Sequence, residues 1–145
     1  MDFVTGLRVS SSGMTAQRHR MNAISSNIAN INTTQTPEGG PYRRKTVIFE
    51  SLPEAKTFGE MLLTNPEKNV NRVQVTDILP DRKAPLLKYE PDHPEADANG
   101  YVAYPNINLM EEMADMIQAT RSYEANVSAL NATKDMALKA LEIGR

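Results

Sequence analysis

Residues 109–141 read LMEEMADMIQATRSYEANVSALNATKDMALKAL, and this stretch decides the fold. Leu109, Met113, Met116, Thr120, Tyr123, Val127, Leu130, Lys134, Ala137 and Leu141 follow one another in alternating steps of four and three, apolar at eight of the ten positions. That period is the heptad seam of an α-helix lying along another helix. Asn108 with Glu111 three residues on reads as an N-cap and its capping-box partner. Glu111, Glu112 and Asp115 suit the positive end of the helix dipole, while Lys139, Gly144 and Arg145 suit the other end. The pattern predicts a helix over 108–142, roughly 50 Å long at about 1.5 Å per residue.

The other end of the chain carries the same period more quietly. Leu7, Met14, Met21 and Ile28 stand seven apart, with Phe3, Val4, Ile24 and Ile31 filling in. Gly6 and Gly13 each cost a helix about 1 kcal/mol, and Ser10, Ser11, Ser12, Asn22, Asn27 and Asn30 are poor formers. A helix over 3–31 is therefore marginal alone. Neither stripe has a partner within its own segment, so the two ends are expected to pair with each other as a coiled coil, parallel or antiparallel.

All nine prolines fall between Pro37 and Pro105, which bars long helices from the middle and permits them at both ends. Tyr42–Glu50, Val70–Leu79, Leu86–Glu90 and Tyr101–Tyr104 read as strands. Turn chemistry separates them at Pro37–Pro41, Leu79-Pro80-Asp81 and Asn99-Gly100. The expected fold class is α+β: long N- and C-terminal helices paired as a coiled coil, with a small β-rich, loop-rich middle. The expected divisions are 1–36 (helix and polar loop), 37–105 (β-rich region) and 106–145 (helix).

Composition narrows the function. Sixteen Lys+Arg against 18 Asp+Glu leave a net charge of −2, with no global pull toward nucleic acid or anionic lipid. The absence of cysteine excludes disulfides, Cys-ligated zinc, iron–sulfur clusters and thiol catalysis. No apolar run approaches the 18 or so residues of a spanning helix, and no cleavable leader is expected. His19 lies between Arg18 and Arg20, a solvated helix face. His93, in Asp92-His93-Pro94-Glu95-Ala96-Asp97, lacks metal-loop spacing and reads as a solvated acidic loop. Arg43-Arg44-Lys45 is too narrow for a nucleic-acid face and reads as a solvated strand end or a contact to an acidic neighbour. The expectation is a protein without enzymatic activity, cofactor or metal. Two rivals are a small binding module built on 37–105 and a hydrolase using His93.

One stretch resists a bland reading. Ser25-Ser26-Asn27-Ile28-Ala29-Asn30-Ile31-Asn32-Thr33-Thr34 packs polar residues into the last turns of a heptad-patterned helix. Such residues near a seam cost stability and fix register; an ordinary fraying helix end is the alternative.

Ser11, Gly13-Met14, Ala16-Gln17, Arg20, Ser26–Asn30 and Thr33 resemble the N-terminal signature of bacterial flagellar rod and hook proteins. Glu112-Met113, Met116-Ile117, Ala119, Arg121, Tyr123–Asn126, Lys134, Met136, Ala140-Leu141 and Gly144 are similar to the C-terminal signature of that family. Gly39–Lys45, Tyr89-Glu90-Pro91, Gly100-Tyr101-Val102 and Pro105–Asn108 resemble its proximal-rod branch. Distal-rod and hook relatives usually carry Gly-Tyr after the threonine, where this chain runs Gln35-Thr36-Pro37. The resemblance implies a structural subunit of the periplasm-spanning rod, exported by the flagellar type III apparatus without a cleavable signal and transmitting torque to the hook. It implies assembly with copies of itself, other proximal and distal rod subunits and the rod–MS-ring adaptor, without nucleic acid or membrane insertion. The implied interface comprises Leu7, Met14, Met21, Asn27, Ile28, Asn30, Leu109, Met113, Met116, Tyr123, Val127, Leu130 and Leu141.

Overall fold

The structure, a computed structural model, describes residues 3–53 and 71–143. It consists of α1 (Phe3–Ala29), β1 (Lys45–Pro53), β2 (Asn71–Pro80), β3 (Leu86–Tyr89), β4 (Tyr101–Tyr104) and α2 (Leu109–Ile143). The expected strand residue Val70 and the C-terminal Gly144 and Arg145 lie outside the described residues. The α+β class and the pairing of the terminal helices hold.

The pairing is antiparallel, and Gly13 shows why it is close. A Cβ on Gly13 would sit 3.0 Å from Asn126 Oδ1, and one on Gly6 3.8 Å from Thr133 Cγ2. At the other end Asn27 meets Glu112. Each step forward along α1 is thus matched by an equal step back along α2, at intervals of seven or fourteen. Ala119, fully buried, falls in the same register opposite residue 20. The contact line of α2 therefore runs through Glu112, Ala119, Asn126 and Thr133, one residue ahead of the predicted Met113, Thr120, Val127 and Lys134. Residues that are small or hydrogen-bonded hold this line because bulkier ones would hold the backbones apart. The predicted Met116, Tyr123, Leu130 and Ala137 flank it, half-buried. On α1 the line likewise precedes Leu7, Met14 and Ile28 by one residue, leaving those side chains half-buried. Ala16, Ala23, Ile24 and Asn27 are the buried residues of this helix.

Two antiparallel hairpins complete the molecule, β1 with β2 and β3 with β4. β1 begins at Lys45 rather than at the expected Tyr42 and pairs Lys45 with Pro80 through Pro53 with Asn71, with a bulge between Ile48 and Phe49. The hairpin lies on α1: Val73 N donates to Ser12 Oγ at 3.2 Å, and Lys45 N donates to Asn27 Oδ1 at 2.8 Å. β3 and β4 pair Leu86 with Tyr104 and Tyr89 with Tyr101. Their connection turns at Gly100, φ +80, where any Cβ would also strike the Tyr89 ring. Asn108 caps α2 as expected, its Oδ1 accepting from Met110 N at 3.0 Å.

Candidate functional site

Three chain segments converge where α1 ends and α2 begins. Asn27 and Glu112 are both buried there, two polar side chains that only hydrogen bonding can make tolerable. Asn27 is saturated. Its Nδ2 donates to Lys45 O and to Glu112 Oε2, each at 3.0 Å. Its Oδ1 accepts from Lys45 N at 2.8 Å and from Tyr42 OH at 3.1 Å. One amide thereby acts as a third strand-like partner to Lys45 while holding the start of α2.

Glu112 spends its other oxygen on Arg44 Nε. The Arg44 guanidinium continues to Asp115 Oδ2 at 3.4 Å, and Arg20 reaches Asp115 Oδ1 at 3.2 Å. Burial works to lower the Arg44 pKa, but its hydrogen bond to Glu112 and the charges of Glu112, Asp115 and Asp81 outweigh that and raise it above its ordinary value. The cation stays charged and Glu112 stays paired. Tyr42 OH also lies 3.0 Å from Ser26 Oγ, so the polar cluster is anchored to the loop leading into β1.

Asn30 behaves differently from Asn27. Its Nδ2 donates to Ser26 O at 2.8 Å, a second bond to the carbonyl in the last turn of α1 that also accepts from Asn30 N at 3.1 Å, and its Oδ1 accepts from Thr33 Oγ1 at 3.1 Å. Asn30 thus ends the helix, while Asn27 joins it to α2. Arg44, read from sequence as a solvated strand end, turns inward, and Glu112, read as a dipole residue, is the most buried charge of the helix. No spacing rule in one sequence marks that pair, because their contact depends on the chain closing across 68 residues.

The flanks of the helix pair are apolar and open. α2 is 35 residues long and buries only Glu112 and Ala119. Leu109, Met110, Met113 and Ile117 are 42, 73, 48 and 55 % exposed, and Leu141 is 72 % exposed. At the opposite end of the pair lies a cleft of about 910 Å³ between the start of α1 and the end of α2, lined by Leu7 and Leu130 among others.

His93 is engaged within its own loop. His93 Nδ1 accepts from Glu95 N at 3.2 Å, and its ring lies edge-on to Tyr104 at 6.5 Å, so it organises its own loop. Among the described residues no three His, Asp or Glu side chains converge as a metal site, and no helix is long and apolar enough to cross a membrane. The β3–β4 hairpin carries its own polar set, Lys88–Glu90–Tyr104, with Tyr104 OH donating to Glu90 at 2.9 Å.

Two family models match the two ends: "Flagella basal body rod protein" over residues 7–35 and "Flagellar basal body rod FlgEFG protein C-terminal" over residues 98–143. The chain is 46 % identical to the flagellar basal-body rod protein FlgC of Bacillus subtilis, covering 96 % of each chain. It is 42 % identical to the FlgC of Borreliella burgdorferi over 99 % of this chain and 98 % of that one. With the FlgC of Escherichia coli O6:H1 the identity is 40 %, over 94 % of each.

Proposed function

The chain belongs to the FlgC family of flagellar basal-body rod proteins and is a structural component of the rod, and we propose that it builds the proximal rod by packing its terminal helices against those of neighbouring subunits. The observation that carries this reading is α2: a 35-residue helix that buries two residues against its own chain has most of its apolar surface still to cover. The interface would comprise Leu7, Met14, Met21, Asn27, Ile28, Asn30, Leu109, Met113, Met116, Tyr123, Val127, Leu130 and Leu141, with 37–105 outside the helical layer formed by 1–36 and 106–145. Neighbours would be further copies, other proximal and distal rod subunits and the rod–MS-ring adaptor, in a rod that spans the periplasm and transmits torque to the hook.

Export through the flagellar type III apparatus fits the same chemistry. A chain with no cysteine to cross-link and with two glycines in a 27-residue helix is easily kept unfolded, and packing at the growing tip supplies the missing stability. The test is complementation of a strain lacking the chromosomal gene. The full chain should restore swimming and complete basal bodies in electron micrographs; a copy ending at residue 108 should restore neither. Swimming supported by the shortened copy would refute the proposal.

A further inference from the structure

We propose that Asn99 is a chemical modification site held closed by the fold: the neighbouring Gly100 amide converts its side chain to isoaspartate when the β3–β4 turn opens. Asn99 alone among the chain's asparagines is followed by glycine. Glycine puts no side chain in the path of its own nitrogen, so that nitrogen can reach the side-chain carbonyl of the residue before it. Asn99 is exposed, and among the described residues its side-chain amide has no hydrogen-bond partner.

The reaction needs only water. The Gly100 nitrogen gives its proton to solvent base and bonds to Asn99 Cγ. The Cγ–Nδ2 bond breaks, and the departing nitrogen takes up a proton and leaves as ammonia. Water then opens the resulting succinimide at either of its two carbonyls. Opening at Cγ restores the backbone and gives aspartate. Opening at the main-chain carbonyl gives isoaspartate, in which the chain runs through the side-chain carbons.

In the folded chain the turn withholds this nitrogen. Gly100 N donates to Asp97 O at 2.9 Å, closing a four-residue turn. Asp97 Oδ1 accepts from Asn99 N at 2.8 Å and from Tyr101 N at 3.0 Å, so the peptide groups on both sides of the reacting pair are fixed. Gly100 O accepts from Glu90 N at 2.9 Å, which ties the glycine to the other arm of the hairpin. A Cβ on Gly100 would lie 2.9 Å from the Tyr89 ring, so the ring leaves the glycine little room to swing. Reaction at Asn99 therefore tracks the population of opened hairpin.

The isoaspartyl chain does not fit the closed turn. It carries one extra main-chain carbon where three N–H groups already converge on Asp97. Gly100 and Tyr101 are then displaced from Asp97, and with them the Tyr89–Tyr101 pairing and its ring contact at 5.3 Å. Ordinary aspartate keeps the backbone and the turn.

The test ages the purified full chain in mildly alkaline water enriched in heavy oxygen, both folded and in guanidinium chloride. Mass spectrometry of its peptides reads the oxygen gained at each asparagine. Label at Asn99 should accumulate slower by about tenfold or more in the folded chain, and Asp97→Ala should remove most of that protection. Equal rates in the two states overturn the proposal. So does an Asn99 that reacts no faster than the other asparagines in denaturant, or an Asp97→Ala chain as protected as its parent. Isoaspartyl chain returned from denaturant should lose the Tyr89–Tyr101 contact in nuclear magnetic resonance spectra, and Asn99→Asp should keep it. The same result for both overturns the role given to the lengthened backbone. These measurements use purified chain, so their failure leaves the rod reading standing.

Discussion

Asn27 Nδ2 donates to Glu112 Oε2 at 3.0 Å, joining the end of the first helix to the beginning of the last across 85 residues of sequence. The same amide brackets the backbone of Lys45 from both sides. One side chain therefore ties helix–helix register to the position of the first hairpin. Unpaired, each buried group it serves would cost about 1–3 kcal/mol. A satisfied network of this kind discriminates among registers more than it stabilises one of them.

Removing Asn27 should therefore cost far more than removing Asn30. Asn27→Ala leaves the Lys45 amide, the Tyr42 hydroxyl and one Glu112 oxygen short of partners, for a loss on the order of 2–4 kcal/mol. Asn30→Ala loses a helix-end bond and gains propensity, for a net change within about 1 kcal/mol. Urea denaturation of the two variants measures the difference, and equal midpoints would show that Asn27 is not the keystone of the fold.

How much of this could be read beforehand follows from what each feature depends on. The long helices were readable because heptad steps and the proline-free ends are local properties. The polar cluster 25–34 stood out for the same reason, but its division of labour did not: Asn27 and Asn30 differ only in which way they point once α2 has docked. The contact line of the pair lies one residue from the heptad seam because hydrophobic pattern marks where apolar residues recur, whereas the closest approach follows small or hydrogen-bonded residues, Gly13 against Asn126 above all. The apolar positions left outside that line, Leu109 and Met113 among them, remain exposed in the single chain.

Met113→Asp separates folding from assembly. Met113 is 48 % exposed, so an aspartate there should change the stability of the monomer by no more than about 0.5 kcal/mol. In a rod the same charge would be desolvated, and cells carrying it should make and export the protein yet fail to swim. Leu130→Asp, at a half-buried position, should do both kinds of damage. Thermal melts paired with swim-plate diameters read the two effects independently; normal swimming by Met113→Asp would remove this face from the interface.

The β3–β4 hairpin should respond to both extremes of pH. The hydrogen bonds from Lys88 and then Tyr104 hold the Glu90 pKa below its usual value, so their stabilisation is complete above about pH 4.5 and is lost as pH falls through the depressed value. Lys88 and Tyr104 are both raised, each chiefly by its hydrogen bond to Glu90, so their share is present below about pH 10 and disappears as pH rises further. Tyr104 ring resonances should shift as pH passes below and above these limits, and Glu90→Gln should abolish the acid-side transition while leaving an alkaline one.

The two glycines of α1 make the closing test of the helix pairing, because they predict opposite outcomes for one substitution. Among the described residues a methyl group at Gly6 meets only Thr133 Cγ2 at 3.8 Å, an ordinary contact, so Gly6→Ala should gain the helix propensity of alanine, about 0.5–1 kcal/mol. At Gly13 the methyl would lie 3.0–3.2 Å from the Asn126 side-chain amide, which is itself tied to Ser122 O at 2.9 Å. The propensity gain is then offset by displacement of that amide, and Gly13→Ala should be close to neutral. Gly13→Leu cannot be absorbed by moving one side chain and should force the helices apart, at a cost of several kcal/mol. If the clash with Asn126 is what cancels the gain, Asn126→Ala should restore it: the double variant Gly13→Ala/Asn126→Ala should exceed Asn126→Ala alone by about 1 kcal/mol. A Gly13→Ala variant already as stabilising as Gly6→Ala would mean that the backbones do not approach at this point, and the antiparallel register drawn through Gly13 and Asn126 would have to be abandoned.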